Sequence, residues 1–381
     1  MQTGPRILLA FGWYDYHSHA GIVRYAREHN WCLRAEFASS LYELPERWDG
    51  DGLLICNAGS SESKHFQRLV ESSSVPALLV DTEFSVPSVA NMKVDDRAIS
   101  RLAARHFIER AFTHYIFIGD DPKAHGNRMR FHCYQEALQE AGHSCSPLWW
   151  QSTGRHTQKE RNRIIRALKE APKPLAIFAV SDMVAARIIQ ACIEADIRIP
   201  EDIAILGVDN DELYGESTPI GLSSIDSRQK EKGYMAATLL DSILQGGAAP
   251  ANPVMVTPAR VILRASTDIL ASDDPKVRKA LDYIREHYGD DIRVEEIARH
   301  VGLSREGLRR AFKNSIGRAP GPILRKHRLN EAKKLLTTTD LKLESVALQA
   351  GMRDATRLCC TFRRELGLSP AAYRRNKKSE S

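Results

Sequence analysis

Residues 203–215 read IAILGVDNDELYG, an unbroken apolar run that ends on Gly207-Val208 and then sets Asp209, Asp211 and Glu212 in one short loop. Such a run has no polar alternation to leave one face in water, so it predicts a strand buried on both faces, as in a parallel sheet covered by helices. In open α/β sheets ligands gather at the carboxyl ends of the strands, which is where this loop lies. A calcium loop of the EF-hand kind would need glycine and glutamate at the sixth and twelfth places from Asp209, where Tyr214 and Ile220 stand. A two-carboxylate glycosidase is not excluded by spacing, although no other feature of the chain supports hydrolysis. The reading carried forward makes Asp209 the group that grips a ligand, while Asp211 and Glu212 start the next segment or face solvent.

The same pattern repeats outward from this stretch. RILLAF precedes HAGIVRYAREH, GLLIC precedes KHFQRLVES, and ALLV is followed by a helix near 95–110; then come YIFIG, MRFHCYQEALQEAG, and LAIFAV before SDMVAARIIQACIEA. Apolar runs separated by amphipathic stretches predict an α/β fold from residue 5 to about 265, with enough strands for two similar halves. No GxGxxG follows the first strand and no GxxxxGK[ST] occurs, so no cofactor is expected and an enzyme has no turnover motif to rest on.

Composition bounds the rest. A chain of 381 residues with 43% hydrophobic content holds two or three domains. Without an apolar run of about 18 residues or a signal peptide, no membrane partner and a cytoplasmic location are expected. The seven cysteines form no CxxC, and Asp15, His17 and His19 make a weak metal set, so neither disulfide nor metal is expected.

Charge is informative once divided. Up to residue 273 there are 29 Lys+Arg against 34 Asp+Glu; from 274 onward there are 25 against 14. A basic tail behind an acidic body points to a polyanionic partner for the tail.

That tail contains a repeat. In VEEIARHVGLSREGLRRAFKNSIGRAP, Val294, Ile297, Ala298 and Val301 keep helical spacing before Gly302; in LESVALQAGMRDATRLCCTFRRELGLSP, Leu343, Val346, Ala347 and Ala350 do so before Gly351. Phe312, Gly317 and Pro320 return fifty residues later as Phe362, Gly367 and Pro370. Helix, glycine turn and helix, twice over, is a duplicated helix-turn-helix. In the first copy Ser304 should cap the second helix and Arg305, Glu306, Arg309 and Arg310 should face outward, to base edges or phosphates. In the second copy the corresponding set is Arg353, Ala355, Thr356, Cys359 and Arg363. GPILRKHRLNEAKKLL between them predicts a helix of about 16 residues, roughly 24 Å long, which can hold two such helices near successive major grooves.

The tail resembles the AraC-type DNA-binding domain, on Ile297-Ala298, Gly302, Leu308, Phe312, Arg328-Leu329, Ala332, Leu335-Leu336, Val346-Ala347, Gly351, Phe362, Gly367 and SPAAYRR at 369–375. It departs at Met352 and Leu358, which replace aromatic residues, and at Arg353, which replaces a serine cap and leaves Asp354 to cap. The body resembles the LacI-type, periplasmic-binding-protein-like effector domain, on RFHCYQEAL at 130–138, AVSDMVAARII at 179–189, ADIRIPEDIAILGVDNDEL at 195–213 and TPIGLSSID with EKGYMAATLL at 218–240. These resemblances imply a type I two-lobed domain of parallel sheets over 1–270, a linker at 271–277, and an all-α domain with two helix-turn-helix motifs over 278–381.

They also imply a cytoplasmic, homodimeric transcription factor that binds promoter or operator DNA, expected as direct repeats, and answers to a sugar, D-xylose first. RNA polymerase is the further partner implied. A different sugar or a purine as effector, or repression in place of activation, remains open. Asp209, Arg130 and Asp182 match cleft positions of the family: a carboxylate accepts from paired hydroxyls and a guanidinium donates to them. The loop after the first strand adds Trp13 or Tyr14 for the C–H face of a sugar, with Asp15 as another acceptor. Capping remains open for Asp182, as does a core position for Trp13.

Overall fold

The computed structural model of the chain describes residues 4–37, 44–59, 63–150 and 158–378. Two compact units result, Met1–Glu109 with Thr113–Asp268, and Arg110–Phe112 with Ile269–Ser381. In the first, the order is β1 (Arg6–Phe11), α1 (Tyr16–Glu28), β2 (Cys32–Phe37), β3 (Gly52–Cys56), α2 (Ser63–Ser73), β4 (Ala77–Val80), β5 (Ala90–Val94), α3 (Asp96–Ile108), β6 (His114–Gly119), α4 (His125–Gln139), β7 (Cys145–Trp149) and α5 (Gln158–Glu170). It continues with β8 (Leu175–Ala179), α6 (Asp182–Glu194), β9 (Ile203–Val208), α7 (Glu212–Ser217), β10 (Ser223–Ile225), α8 (Gln229–Leu244), β11 (Val254–Val256) and β12 (Val261–Ile262).

Among the described residues these strands make two six-stranded sheets, ordered β11-β5-β4-β3-β1-β2 and β12-β10-β9-β8-β6-β7. Neighbours run parallel except β10 with β12. Each sheet is the centre of one lobe. The unbroken apolar runs are the inner strands, with β3, β8 and β9 buried along their whole length. Alternate side chains of β1 fill opposite layers: Ile7, Leu9 and Phe11 pack with Ile22 and Leu240, whereas Leu8 and Ala10 pack with Phe66 and Leu69. Burying each large side chain contributes about 1.5–3 kcal/mol, which is why both faces of these strands are apolar.

The chain passes between the lobes after β5, after β10 and after β11, because α3 packs on α4 and β10, while α8 packs on α1, β3 and β4. Close contact of α1 with α8 depends on two glycines. A Cβ on Gly21 would lie 2.0 Å from the Lys230 carbonyl oxygen, and one on Gly233 2.0 Å from that of Ser18. With hydrogen alone at both places the two helix backbones touch. The first turns of α1 and α8, which carry Ser18, Gln229 and Lys232, therefore meet.

The second unit is helical: α9 (Pro275–His287), α10 (Val294–His300), α11 (Arg305–Ile316), α12 (Pro320–Thr338), α13 (Leu343–Gln349), α14 (Ala355–Leu366) and α15 (Pro370–Lys378). Asp274 caps α9 by accepting from the amides of Lys276 and Val277, so this helix begins inside the 271–277 segment expected to be a linker. Each repeat has its own core. One joins Val277, Ile284, Ile297, Leu308 and Phe312, the other Ala332, Val346, Ala347, Leu358 and Phe362, and α12 contributes to both. At 19 residues α12 is longer than expected and spans about 28 Å. Pro320 opens it with a pre-set φ, and in its last turn the hydroxyls of Thr337 and Thr338 donate to the Lys334 carbonyl.

Candidate functional site

The loops at the carboxyl ends of both sheets converge between the lobes. From the first lobe come Trp13, Tyr14 and Asp15 after β1 and Asp81 after β4; from the second come Ser181 after β8 and Asp209 after β9. Asp209 and Asn210 both take left-handed backbone conformations, with φ of 104° and 52°, so the loop is strained and must be held from outside. The amide of Asn210 donates to Ser224 Oγ at 2.9 Å, and its side-chain oxygen accepts from Arg264 Nη2 at 2.9 Å. Asp209 Oδ1 accepts from Ser227 Oγ (2.8 Å) and Gln229 Nε2 (2.9 Å), both beside the second crossing between the lobes. Gln229 in turn meets Ser18 Oγ at 3.3 Å, and that hydroxyl lies 2.5 Å from Asp15 Oδ2. A polar chain thus runs from Asp209 in one lobe to Asp15 in the other.

The remaining expected residues fall into three kinds of position. Arg130, on α4, sends Nε and Nη2 to Asp96 Oδ1 (2.8 and 2.7 Å) and Nη1 to the Val180 carbonyl. Burial works against its charge, but the carboxylates of Asp96, Asp209 and Asp81 outweigh that and raise its pKa. Trp13 is not core: it is 62% exposed. Tyr14 is 46% exposed and edge-on to Phe11 and Phe37. Asp15 caps α1, accepting from the amides of His17 and Ser18.

Asp182 differs from expectation. It is only 2% exposed, and its Oδ2 accepts the Asp211 amide at 2.8 Å. A Cβ on Gly207 would lie 2.0 Å from its Oδ1, so the carboxyl sits under the loop that carries Asp209 and does not open into the cleft. Burial, with the Asp209 charge next, pushes its pKa well above the ordinary range. Capping of α6 falls instead to Ser181, whose hydroxyl accepts the Val184 amide. Asp211 caps α7 and Glu212 begins it, so of the two places left open for them, the start of the next segment or solvent, these residues take the first. Among the described residues no three of His, Cys, Asp and Glu are placed to hold a metal ion. His19 packs against Phe11 and Tyr14, and burial lowers its pKa.

Residues missed in the sequence are Asp81, Asp96, Gln229, Arg264 and Lys232. Their partners lie far off in the chain, 151 positions away for Lys232 with Asp81 and 211 for Gln229 with Ser18. One signal was available: DTEF follows the ALLV strand directly, the same strand-end placement that singled out Asp209.

In the second unit both turn glycines have positive φ, 67° at Gly302 and 71° at Gly351. Ser304 caps α11 through the Gly307 amide (3.0 Å), and Asp354 caps α14 through the Arg357 amide (2.7 Å). Met352 and Leu358 are buried, filling the places of the family's aromatic residues. Arg305, Glu306, Arg309 and Arg310 are exposed on α11. Arg353 and, on α14, Thr356 and Arg363 are exposed, while Ala355 and Cys359 are half-buried. Two of the arginines are occupied by acidic neighbours: Arg309 donates to both oxygens of Glu306 (2.9 and 2.7 Å), and Arg305 Nη1 lies 2.9 Å from Glu295. Arg328 and Arg374 face inward, binding the carbonyls of Tyr288 and Asp290 and of Leu336 and Leu341.

Comparison with known proteins agrees with both units. Residues 104–267 match a periplasmic binding protein-like domain, and residues 297–376 a helix-turn-helix domain. The Xylose operon regulatory protein of Escherichia coli K12 is 28% identical over 380 residues, covering 95% of this chain and 94% of that one. Its counterpart in Haemophilus influenzae is 28% identical over 318 residues, 81% of each chain. A solved xylose-binding transcription activator superposes with a TM-score of 0.67 at 26% identity, covering 98% of both chains. A lac repressor dimer bound to operator, at 16% identity and a TM-score of 0.55, shares the fold over 70% of this chain. With a periplasmic binding protein-like domain in front and an AraC-type helix-turn-helix domain behind, this chain is a homologue of the xylose operon regulatory proteins.

Proposed function

We infer that the chain is a sugar-responsive, DNA-binding regulator of transcription, and propose that D-xylose is its effector and pentose catabolism genes its targets, which it activates. The observation that carries this reading is one chain holding both a two-lobed cleft, with Asp209 and Asp81 at strand ends and Arg130 on α4, and two capped, arginine-bearing second helices. A pentose offers adjacent hydroxyls that suit paired carboxylate acceptors and a guanidinium fork. Asp209 is assigned as the principal hydroxyl acceptor, Arg130 as a donor, and Trp13 and Tyr14 as the stacking wall, with Asp15 behind them. Asp182 supports the loop. The sugar bridges the lobes, and closure is passed on to the DNA-binding domain of a cytoplasmic homodimer that contacts direct operator repeats and RNA polymerase. The protein acts by binding, without turnover.

On DNA, Arg305, Arg309, Arg310, Arg353 and Arg363 are assigned to phosphates or guanine, and Ser304, Glu306, Ala355, Thr356 and Cys359 to the groove surface. Calorimetric titration with D-xylose, L-arabinose, D-ribose and D-glucose tests the effector. The expected result is heat with D-xylose and a loss of tenfold or more in Asp209→Ala, since a hydrogen bond to a charged group is worth about 1.5–3 kcal/mol. No response to any pentose refutes the effector assignment. DNA affinity should fall steeply with salt and drop in Arg310→Ala.

A further inference from the structure

Lys232 lies in the first turn of α8 with its side chain 1% exposed, in a stretch, QKEKGYM, that reads as a solvated helix start. Burying an ammonium is costly unless charges of opposite sign surround it. Here they come from three elements. Its Nζ donates to Asp81 Oδ2 at the end of β4, and the charges of Asp15, at the cap of α1, and Asp209, in the loop after β9, act on it from the polar chain that joins them through Ser18 and Gln229. The thiol of Cys56, on β3, is kept neutral by burial and feels the charge of the lysine as well. Asp81 is fixed in turn: its Oδ1 accepts the Val94 amide at 2.8 Å, and its backbone is left-handed at φ 49°.

We propose that Lys232 is a positioning residue of the effector cleft, a buried counter-charge shared by Asp15, Asp81 and Asp209 that lets carboxylates from both lobes converge as hydroxyl acceptors. The inference rests on the effector reading above. Two of the three acids belong to the first lobe and Asp209 to the second, so without a cation between them each approach of the lobes brings like charges together. Arg130 bonds Asp96 and the Val180 carbonyl, whereas Lys232 is the cation bonded to Asp81. Burial opposes the lysine's charge, yet Asp81, Asp15 and Asp209 together raise its pKa, which accords with a cation held in place. Removal would leave the acids competing for protons in the folded state, so their stabilising contribution would be lost as pH rises.

Wild type, Lys232→Met and the double variant Lys232→Met/Asp81→Asn are compared by thermal unfolding from pH 5 to 8 and by D-xylose titration at pH 7.5. The Met variant should melt below wild type by a margin that grows with pH, and Asp81→Asn added to it should shrink that margin. Its D-xylose affinity should fall tenfold or more. A margin that does not change with pH, or an affinity within twofold of wild type, overturns the proposal. If wild type takes up no D-xylose, the effector reading fails separately and the pH profile of melting alone decides the role of Lys232.

Discussion

The two turn glycines of the helix-turn-helix repeat provide a matched experiment. Gly302 and Gly351 have nearly the same backbone angle, φ 67° and 71°, but different surroundings. Nothing lies within 4 Å of where a Gly302 Cβ would stand, so Gly302→Ala should cost only the left-handed conformation, about 1–2 kcal/mol. A Cβ on Gly351 would stand 1.8 Å from the Tyr288 carbonyl oxygen and 2.9 Å from Arg328 Nε. That carbonyl is the acceptor of Arg328 at 2.8 Å, part of the clasp between α9 and α12. Relieving the clash must move either the turn or the end of α9 and so weaken a charged hydrogen bond worth about 1.5–3 kcal/mol. Gly351→Ala should therefore cost about 2.5–5 kcal/mol in all. Urea unfolding of the full chain followed by far-UV circular dichroism reads both values, and binding to a labelled operator duplex should fall more in Gly351→Ala. Equal destabilisation by the two alanines would refute the reasoning, because the dihedral cost alone would then explain both.

The other expectations are simpler. Ser304→Ala and Asp354→Ala should each cost about 1 kcal/mol in the same unfolding assay, and Arg353→Ala little, since the cap has moved one place to Asp354. Asp182 has a raised pKa when folded, so the stability it contributes is present at low pH and is lost as pH rises through the folded value. Asp182→Asn keeps an acceptor for the Asp211 amide and should gain on wild type in melting temperature between pH 5 and 8; a flat difference would count against a buried, proton-holding carboxyl. Glu306→Ala frees Arg309 from its ion pair and should raise DNA affinity and steepen its salt dependence, measured by anisotropy across a potassium chloride series.

Much of the fold could be read along the chain because its signals are local. The continuous runs GLLIC, LAIFA and IAILGV became fully buried strands, and the duplicated glycine turn with its apolar spacing became two helical cores. The shift of the second cap to Asp354 was equally legible, because a cap depends on its own residue and the next few amides. Side-chain destinations that depend on distant partners were not. Trp13, placed equally well in a core by its composition, is exposed because the chain leaves β1 there, and Asp182, matched to the cleft, is buried beneath the loop it supports.

The sequence by itself determined the period of each element, the two-part charge distribution, the order of the domains and the strand end that holds Asp209, since all of these follow from neighbours in the chain. Only the tertiary structure decided which charges share a site. Gly21 and Gly233 let α1 and α8 touch, and that contact, between residues more than two hundred positions apart, draws Lys232 in among Asp15, Asp81 and Asp209. The physical reason is that burial and electrostatic partnership depend on distance in space, and in this molecule that distance is set by where a side chain is missing.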